Sequence, residues 1–147
     1  MLDQNRVDLS TYRLEKAEEM LGDATALLQQ GSLRSSNNRA YYCIYHAIRA
    51  IFALDGVEFK KHSGNITFFL KDYVRTGIFD SEVSEIVLSA SKIRSASDYD
   101  DFYIASRSET EKQVEGANRF LSDVKAYLSK RIEADRSNKV TIQIPYY

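Results

Sequence analysis

Apolar residues recur along most of this chain at the three- and four-residue intervals of an α-helix, cut by short turn signals rather than by proline. The only proline is Pro145, so nothing before it carries a residue without a backbone N–H. Five helices are expected. The first runs from about Leu9 to Gln30, with Leu14, Ala17, Met20, Leu21, Ala24, Leu27 and Leu28 on one face and Gly31 as its stop. The second runs from about Ser36 to Leu54 and ends at Asp55-Gly56. A third starts near Ser63, carries Ile66, Phe69, Leu70 and Tyr73, and stops at Gly77. The fourth begins after Asp80 and presents Val83, Ile86, Val87 and Ala90. The fifth opens on Ser108-Glu109-Thr110-Glu111, where a serine and a glutamate three residues apart cover each other's free backbone N–H. It continues with Val114, Ala117, Leu121, Val124 and Leu128 at helical spacing. Only the last stretch, KVTIQIPYY, alternates like a strand. The expected architecture is all-α, an up-and-down bundle of four to five helices over residues 1–135. Residues 136–147 are expected to form a short extended tail, mobile or paired in an oligomer.

Composition narrows the function classes. At 147 residues, 44% hydrophobic and 28% charged, the chain has enough apolar material for one packed core. A net charge of −1 gives no overall basic excess, so nucleic-acid binding would have to come from a local patch. One cysteine, Cys43, excludes an intrachain disulfide and suits a reducing cytoplasm. The N-terminal MLDQNRVDLS lacks the apolar core of a signal peptide, and no apolar run is long enough to cross a membrane. One cysteine and two separated histidines leave no legible zinc site, and "SGN" is too short for a glycine-rich phosphate loop; no metal or cofactor is expected.

Charge in the wrong place marks the candidate chemistry. Continuing the fourth helix's apolar stripe by helical steps lands on Arg94 and Asp98, where core residues should follow. An isolated buried charge is too costly to persist, so Arg94 must be paired or open to a cleft, and Asp98 one turn later is its local partner. The pair is either structural or the floor of a site, with Tyr99, Phe102 and Tyr103 close behind. On the second helix, Tyr41, Ile44, Tyr45, Ile48, Ile51 and Phe52 share a core face at about 100° per residue. The opposite side collects Arg39, Tyr42, Cys43, His46, Arg49, Ala50 and Ala53. Small residues mixed with Arg, Tyr and His suit close approach to another helix; His46 is either a satisfied, partly buried histidine or part of a polar convergence. His62 sits at a predicted helix start beside Lys60 and Lys61, which is either a solvated cap with Ser63 or a phosphate-binding corner.

Three stretches together carry a resemblance. Arg39-Ala40-Tyr41-Tyr42, then Lys60-Lys61-His62-Ser63-Gly64, then Arg94 followed by Asp98-Tyr99 resemble, in order and spacing, the R-A-Y-Y, K-x-H-S-G and R-x-x-x-D-Y motifs of a small prokaryotic branch of the HEPN domain family. The likeness runs from about Tyr12 to Leu128. It implies a dimeric four- to five-helix bundle in the cytoplasm, often the toxin of a toxin–antitoxin pair whose partner is a minimal nucleotidyltransferase. Many members are metal-independent endoribonucleases with an R-x(4–6)-H motif on a late helix. There a histidine moves the proton of a 2′-OH or leaving oxygen while the arginine steadies phosphate charge. Arg94 matches that arginine, but no histidine follows it; Asp98 and Tyr99 stand in its place, and Arg39 and His46 give R-x6-H on the second helix instead. The resemblance implies Arg94, Asp98, Tyr99 and His46 as catalytic candidates. For an RNA or nucleotide ligand it implies Arg39, Tyr42, Lys60, Lys61 and His62 as contacts. Tyr99 and Tyr103 are candidates for adenylylation by the nucleotidyltransferase. The alternative is a catalytically inactive nucleotide-binding or scaffolding module.

Overall fold

A computed structural model describes residues 2–143, all of whose regular structure is helical. Helix α1 spans Gln4–Gln29, α2 Leu33–Asp55, α3 His62–Phe69, α4 Glu82–Tyr99 and α5 Arg107–Gln143. Helix α3 runs on into one wide π-type turn at Leu70–Val74. The predicted stops hold because Gly31, Gly56 and Gly77 all sit in the left-handed region. Gly31 (φ 80°) and Gly56 (φ 73°) each end a helix there, and Ser32 and Val57 beyond them donate back to Leu27 and Phe52 (2.9 Å each). A side chain at Gly56 would also meet the Arg6 guanidinium at 2.7 Å.

Helix α2 is the axle of the bundle, packed against α1, α3, α4 and α5. Its predicted core face is buried: Ile44, Ile48, Ile51 and Phe52 are all at most 1% exposed. Each such side chain contributes about 1.5–3 kcal/mol by leaving water. Its second face behaves differently from a free dimerisation surface. Cys43, Ala50 and Ala53 are covered within the protein: Cys43 Sγ lies 3.9 Å from the Ala117 carbonyl, and Ser10 Oγ donates to the Ala50 carbonyl at 2.7 Å. The close helix neighbours that those small residues call for are α1 and α5. Only Arg39, Tyr42, His46 and Arg49 on that face stay half-open.

Two further expectations shift. The cap of α5 is Ser106, whose Oγ accepts from the Glu109 N–H (3.1 Å), two residues ahead of the predicted Ser108. Thr110, inside the supposed box, is fully buried instead. Residues 139–143 continue α5 rather than forming an extended segment, and α5 crosses the expected 135/136 boundary unbroken; residues 144–147 lie outside the described residues. Alternation of Val, Ile and polar residues is outweighed by continuity with an established helix.

Candidate functional site

The first half of α2 and the last turns of α4 meet through polar side chains, and the site is built at that meeting. Val83, Val87 and Ala90 fix α4 on the core, and the same stripe then carries Arg94 to α2. There its Nη2 donates to the Tyr42 hydroxyl (2.8 Å). Its guanidinium carbon lies 5.0 Å from the Tyr41 ring centre, 5.3 Å from that of Tyr42 and 5.5 Å from that of Tyr99, a cationic group boxed by three π faces. Asp98 does pair with it, Nε to Oδ2 at 3.0 Å, with the two side chains 19% and 23% exposed. That Nε is nevertheless buried with its N–H unaligned on any acceptor, so the contact is an ion pair by distance without a directed hydrogen bond. Burial alone would lower the Arg94 pKa, but Tyr42, Tyr99, Asp98 and Tyr41 together raise it.

Around the pair lie residues that the motifs did not single out. Asn38 Nδ2 donates to Asp98 Oδ2 (2.8 Å), Asn37 Nδ2 to Ser97 Oγ (3.1 Å), and Arg34 to the carbonyls of Ala96 (3.3 Å) and Asp100. Arg39 donates to Asn38 Oδ1. Arg34, Ser35, Asn38, Arg39, Ser97 and Asp98 thus line an open cavity of about 380 Å³. The available signal was the polar run Ser35-Ser36-Asn37-Asn38 inside a helix, where such residues are poor formers and need another reason to be present.

On the other side of Arg94, α2 and α3 form an aromatic wall. Lys61, not Ser63, caps α3, and it does so without a side-chain bond. His62, the first helical residue, turns inward: its ring stacks on Tyr45 (centroids 4.0 Å, 8°), and its Nδ1 shares a 3.0 Å hydrogen bond with the Tyr41 hydroxyl. Burial holds the His62 pKa below its ordinary value, with Arg94 and Arg49 adding to the effect. Burial likewise pushes the Tyr41 phenol up to about 12. His46 lies against Tyr42 and Tyr45 (centroids 6.0 and 5.7 Å). Burial first, then Lys16, Arg49, Arg13 and His62, depress its pKa to about 4. Both imidazoles are therefore neutral near pH 7.

The structure brings Arg94, Asp98, Tyr99, Tyr42, Arg39, His46 and His62 around one face. Lys60 and Lys61 are exposed at the turn before α3, outside that convergence. Tyr103 is also apart: it donates to the Glu109 carboxylate, and burial together with that bond raises its pKa to about 12. Among the described residues no three His, Cys, Asp or Glu side chains gather as a metal site, and no helix is long and apolar enough to cross a membrane.

A helical bundle with an arginine boxed by tyrosines between its second and fourth helices defines the class, and comparison supplies the family. The HEPN domain profile matches residues 10–127; the chain belongs to the HEPN domain family. It is 28% identical over 113 residues to a UPF0332 protein of Thermotoga maritima, covering 77% of this chain and 86% of that one. It is 30% identical over 120 residues to a Methanocaldococcus jannaschii protein described as a candidate toxin, covering 81% and 82%. Among solved structures, a Thermus thermophilus protein superposes with a TM-score of 0.69 at 22% identity, over 83% of this chain and 98% of that one. An archaeal HEPN homologue gives 0.66 at 17%, over 81% and 97%. At those identities the two structures speak for the fold.

Proposed function

We propose that this chain is the HEPN component of a prokaryotic toxin–antitoxin pair, dimeric and cytoplasmic, whose partner is a minimal nucleotidyltransferase. Its ligand is RNA or a nucleotide held at Arg94. The observation that carries the reading is the state of that guanidinium: gripped by Tyr42 and Asp98, yet with Nη1 lacking a hydrogen-bond partner among the described residues. A half-open arginine with an unused donor is suited to a phosphate oxygen. Two relatives described as candidate toxins support the pairing.

For RNA cleavage the imidazole at hand is His62, since it is the one whose charge Arg94 opposes. With its Nδ1–H given to Tyr41, its Nε2 takes the proton of a ribose 2′-OH. The 2′-oxygen then bonds to the adjacent phosphorus, and the bond to the 5′-oxygen breaks. That oxygen takes a proton from water, and the hydroxide so formed takes back the proton held by His62, leaving a 2′,3′-cyclic phosphate, a 5′-OH and a neutral imidazole, while Arg94 meets the charge on the phosphorane oxygens. Tyr99, 72% exposed, is open to adenylylation, whereas the hydroxyl of Tyr103 is taken by Glu109.

A specific observation favours the non-catalytic alternative too: Asp98, tied to Asn38, fills the late-helix position where the family's nucleases carry histidine. Expressing the chain alone and with its neighbouring nucleotidyltransferase, while following growth and RNA integrity, separates the two. The nuclease reading expects growth arrest relieved by the partner, and cleavage that survives EDTA and disappears in Arg94→Ala. Intact RNA with Arg94-dependent binding selects the binding module. Ligand binding equal in parent and Arg94→Ala rejects both.

A further inference from the structure

The cations on the α1 side of the aromatic wall are not used by the Arg94 site. Helices α1 and α2 pack side by side, and Lys16, Arg49 and Arg13 all act electrostatically on His46. Arg13 Nη1 donates to the Arg49 carbonyl at 3.0 Å. The Arg49 guanidinium lies 5.7 Å from the Tyr45 ring centre, and Lys16 Nζ 5.4 Å from that of Tyr12. All three cations are half-buried, and none has a carboxylate within ion-pair distance among the described residues. Glu58 acts on Arg13 from further away, while Arg49 opposes the Arg13 charge. Other cations of the fold do have such partners: Arg119 faces Glu82 and Asp123, Lys125 faces Glu18, and Arg131 faces Asp55. Three like charges gathered without a counter-ion cost energy that an anion would recover.

His46 sharpens the picture. Its Nδ1 is buried with no partner, so a proton there would be unsatisfied, and the neutral ring carries its proton on Nε2. An Nε2–H among cations donates most favourably to an anion.

We propose that Arg13, Lys16, Arg49 and the Nε2–H of His46 form a second anion site, which takes a terminal phosphate, the dianion of a phosphate monoester. A dianion fits better than the single charge of an internal phosphodiester because three cations lie together with no carboxylate at ion-pair distance among the described residues. The site does not rest on the reading of Arg94, which has no hydrogen bond or ion pair with these four side chains, although His46 and Arg94 both lie against Tyr42. The groups acting on His46 are Lys16 and Arg13 from α1, Arg49 from α2 and His62 from α3, with the Tyr42 and Tyr45 rings against it. All the charged ones are cationic, so a bound dianion raises the His46 titration midpoint from about 4.

The test is an NMR titration of the histidine side chains in the full chain with inorganic phosphate, AMP, adenosine, and an oligoribonucleotide bearing either a 5′-phosphate or a 5′-hydroxyl. Phosphate and AMP are expected to move the His46 resonances and raise its midpoint, and adenosine to leave both in place. The Lys16→Gln and Arg49→Gln variants should each weaken AMP binding about tenfold, the worth of one charge-assisted hydrogen bond. Arg94→Ala should leave the His46 response intact. Tighter binding of the 5′-phosphorylated oligonucleotide than of AMP names an RNA end as the source; equal binding names a free nucleotide. Equal responses to AMP and adenosine, or a His46 response abolished by Arg94→Ala, would overturn the assignment. Lys16 lies in no helix–helix hydrogen bond, so Lys16→Gln keeps the test decisive where Arg49→Gln unfolds the chain.

Discussion

The fold uses arginine, aspartate and tyrosine together twice, to different ends. At the base of the bundle, Asp55 ends α2 and takes hydrogen bonds from the Tyr73 hydroxyl on one oxygen and Arg131 Nη1 on the other; Arg131 also donates to Tyr127 (3.1 Å). One carboxylate thereby ties α2, the π-type turn and α5. Near the other end of α2, Arg94 and Asp98 belong to the same helix, one turn apart, and the arginine's Nε–H is directed at nothing. The first cluster joins distant segments and satisfies its carboxylate fully. The second also bridges two helices, α4 to α2 through Tyr42 and Asn38, but it leaves donors over. Complete satisfaction marks a fastener, and an unfinished hydrogen-bond set marks a place for a ligand.

The largest expected effect follows from the fastener. Asp55→Ala strands Arg131 and the Tyr73 hydroxyl together. The Arg131 and Asp55 side chains are 33% and 19% exposed. The loss should therefore fall below that of a fully buried pair, at about 2 kcal/mol of unfolding free energy in a urea titration. Binding of anionic ligand should be unchanged. A loss under about 0.5 kcal/mol, the surface-pair level, would erase the distinction between the clusters.

That contrast was only half legible in the sequence. The helices were, because apolar spacing, Gly31, Gly56 and the absence of internal proline all act locally. Arg94 and Asp98 were visible as charges interrupting a stripe, and their pairing follows from one helical turn. Asp55 was invisible as a fastener, since it reads as half of an Asp-Gly stop, and its partners lie 18 and 76 residues away. The inward turn of His62 was hidden for the same reason: a helix start with two lysines reads as a solvated corner until α2 supplies Tyr41 and Tyr45. The cluster of Arg13 and Lys16 with Arg49 depends on the register of α1 against α2, which periodicity does not specify.

The open region should also reveal itself in the pH dependence of stability. His46 has a folded pKa depressed from 6.5 to about 4, so the unfolded chain takes up its proton first as pH falls. The stability that this neutral histidine contributes is complete above about 6.5 and is lost progressively down to about 4. His62, also depressed, acts in the same direction. His46→Gln should flatten the fall of unfolding free energy between about pH 6.5 and 4 relative to the parent. Parallel curves for the two proteins would mean that His46 is hydrated and ordinary. The phenol of the fastener, Tyr73, does not titrate in this range, because burial and Asp55 raise its pKa away from neutrality.

The smallest effect on stability, and the most informative for function, is expected from Asp98→Asn. Within one helix an Asp–Arg pair one turn apart contributes about 0.2–0.5 kcal/mol, and here the side chains keep 19% and 23% of their surface in contact with water. Asparagine preserves the shape and an acceptor for Asn38 while removing the charge that competes for Arg94. The melting temperature should therefore move by little, and affinity for a phosphate-bearing ligand should hold or rise as the guanidinium loses its internal partner. The two readouts pull in opposite directions only if Arg94 serves a ligand. A fall in stability of the size seen for Asp55→Ala, with a matching fall in binding, would make the pair at Arg94 a second fastener and leave the ligand to be sought along the wall of His62, Tyr45 and Arg49.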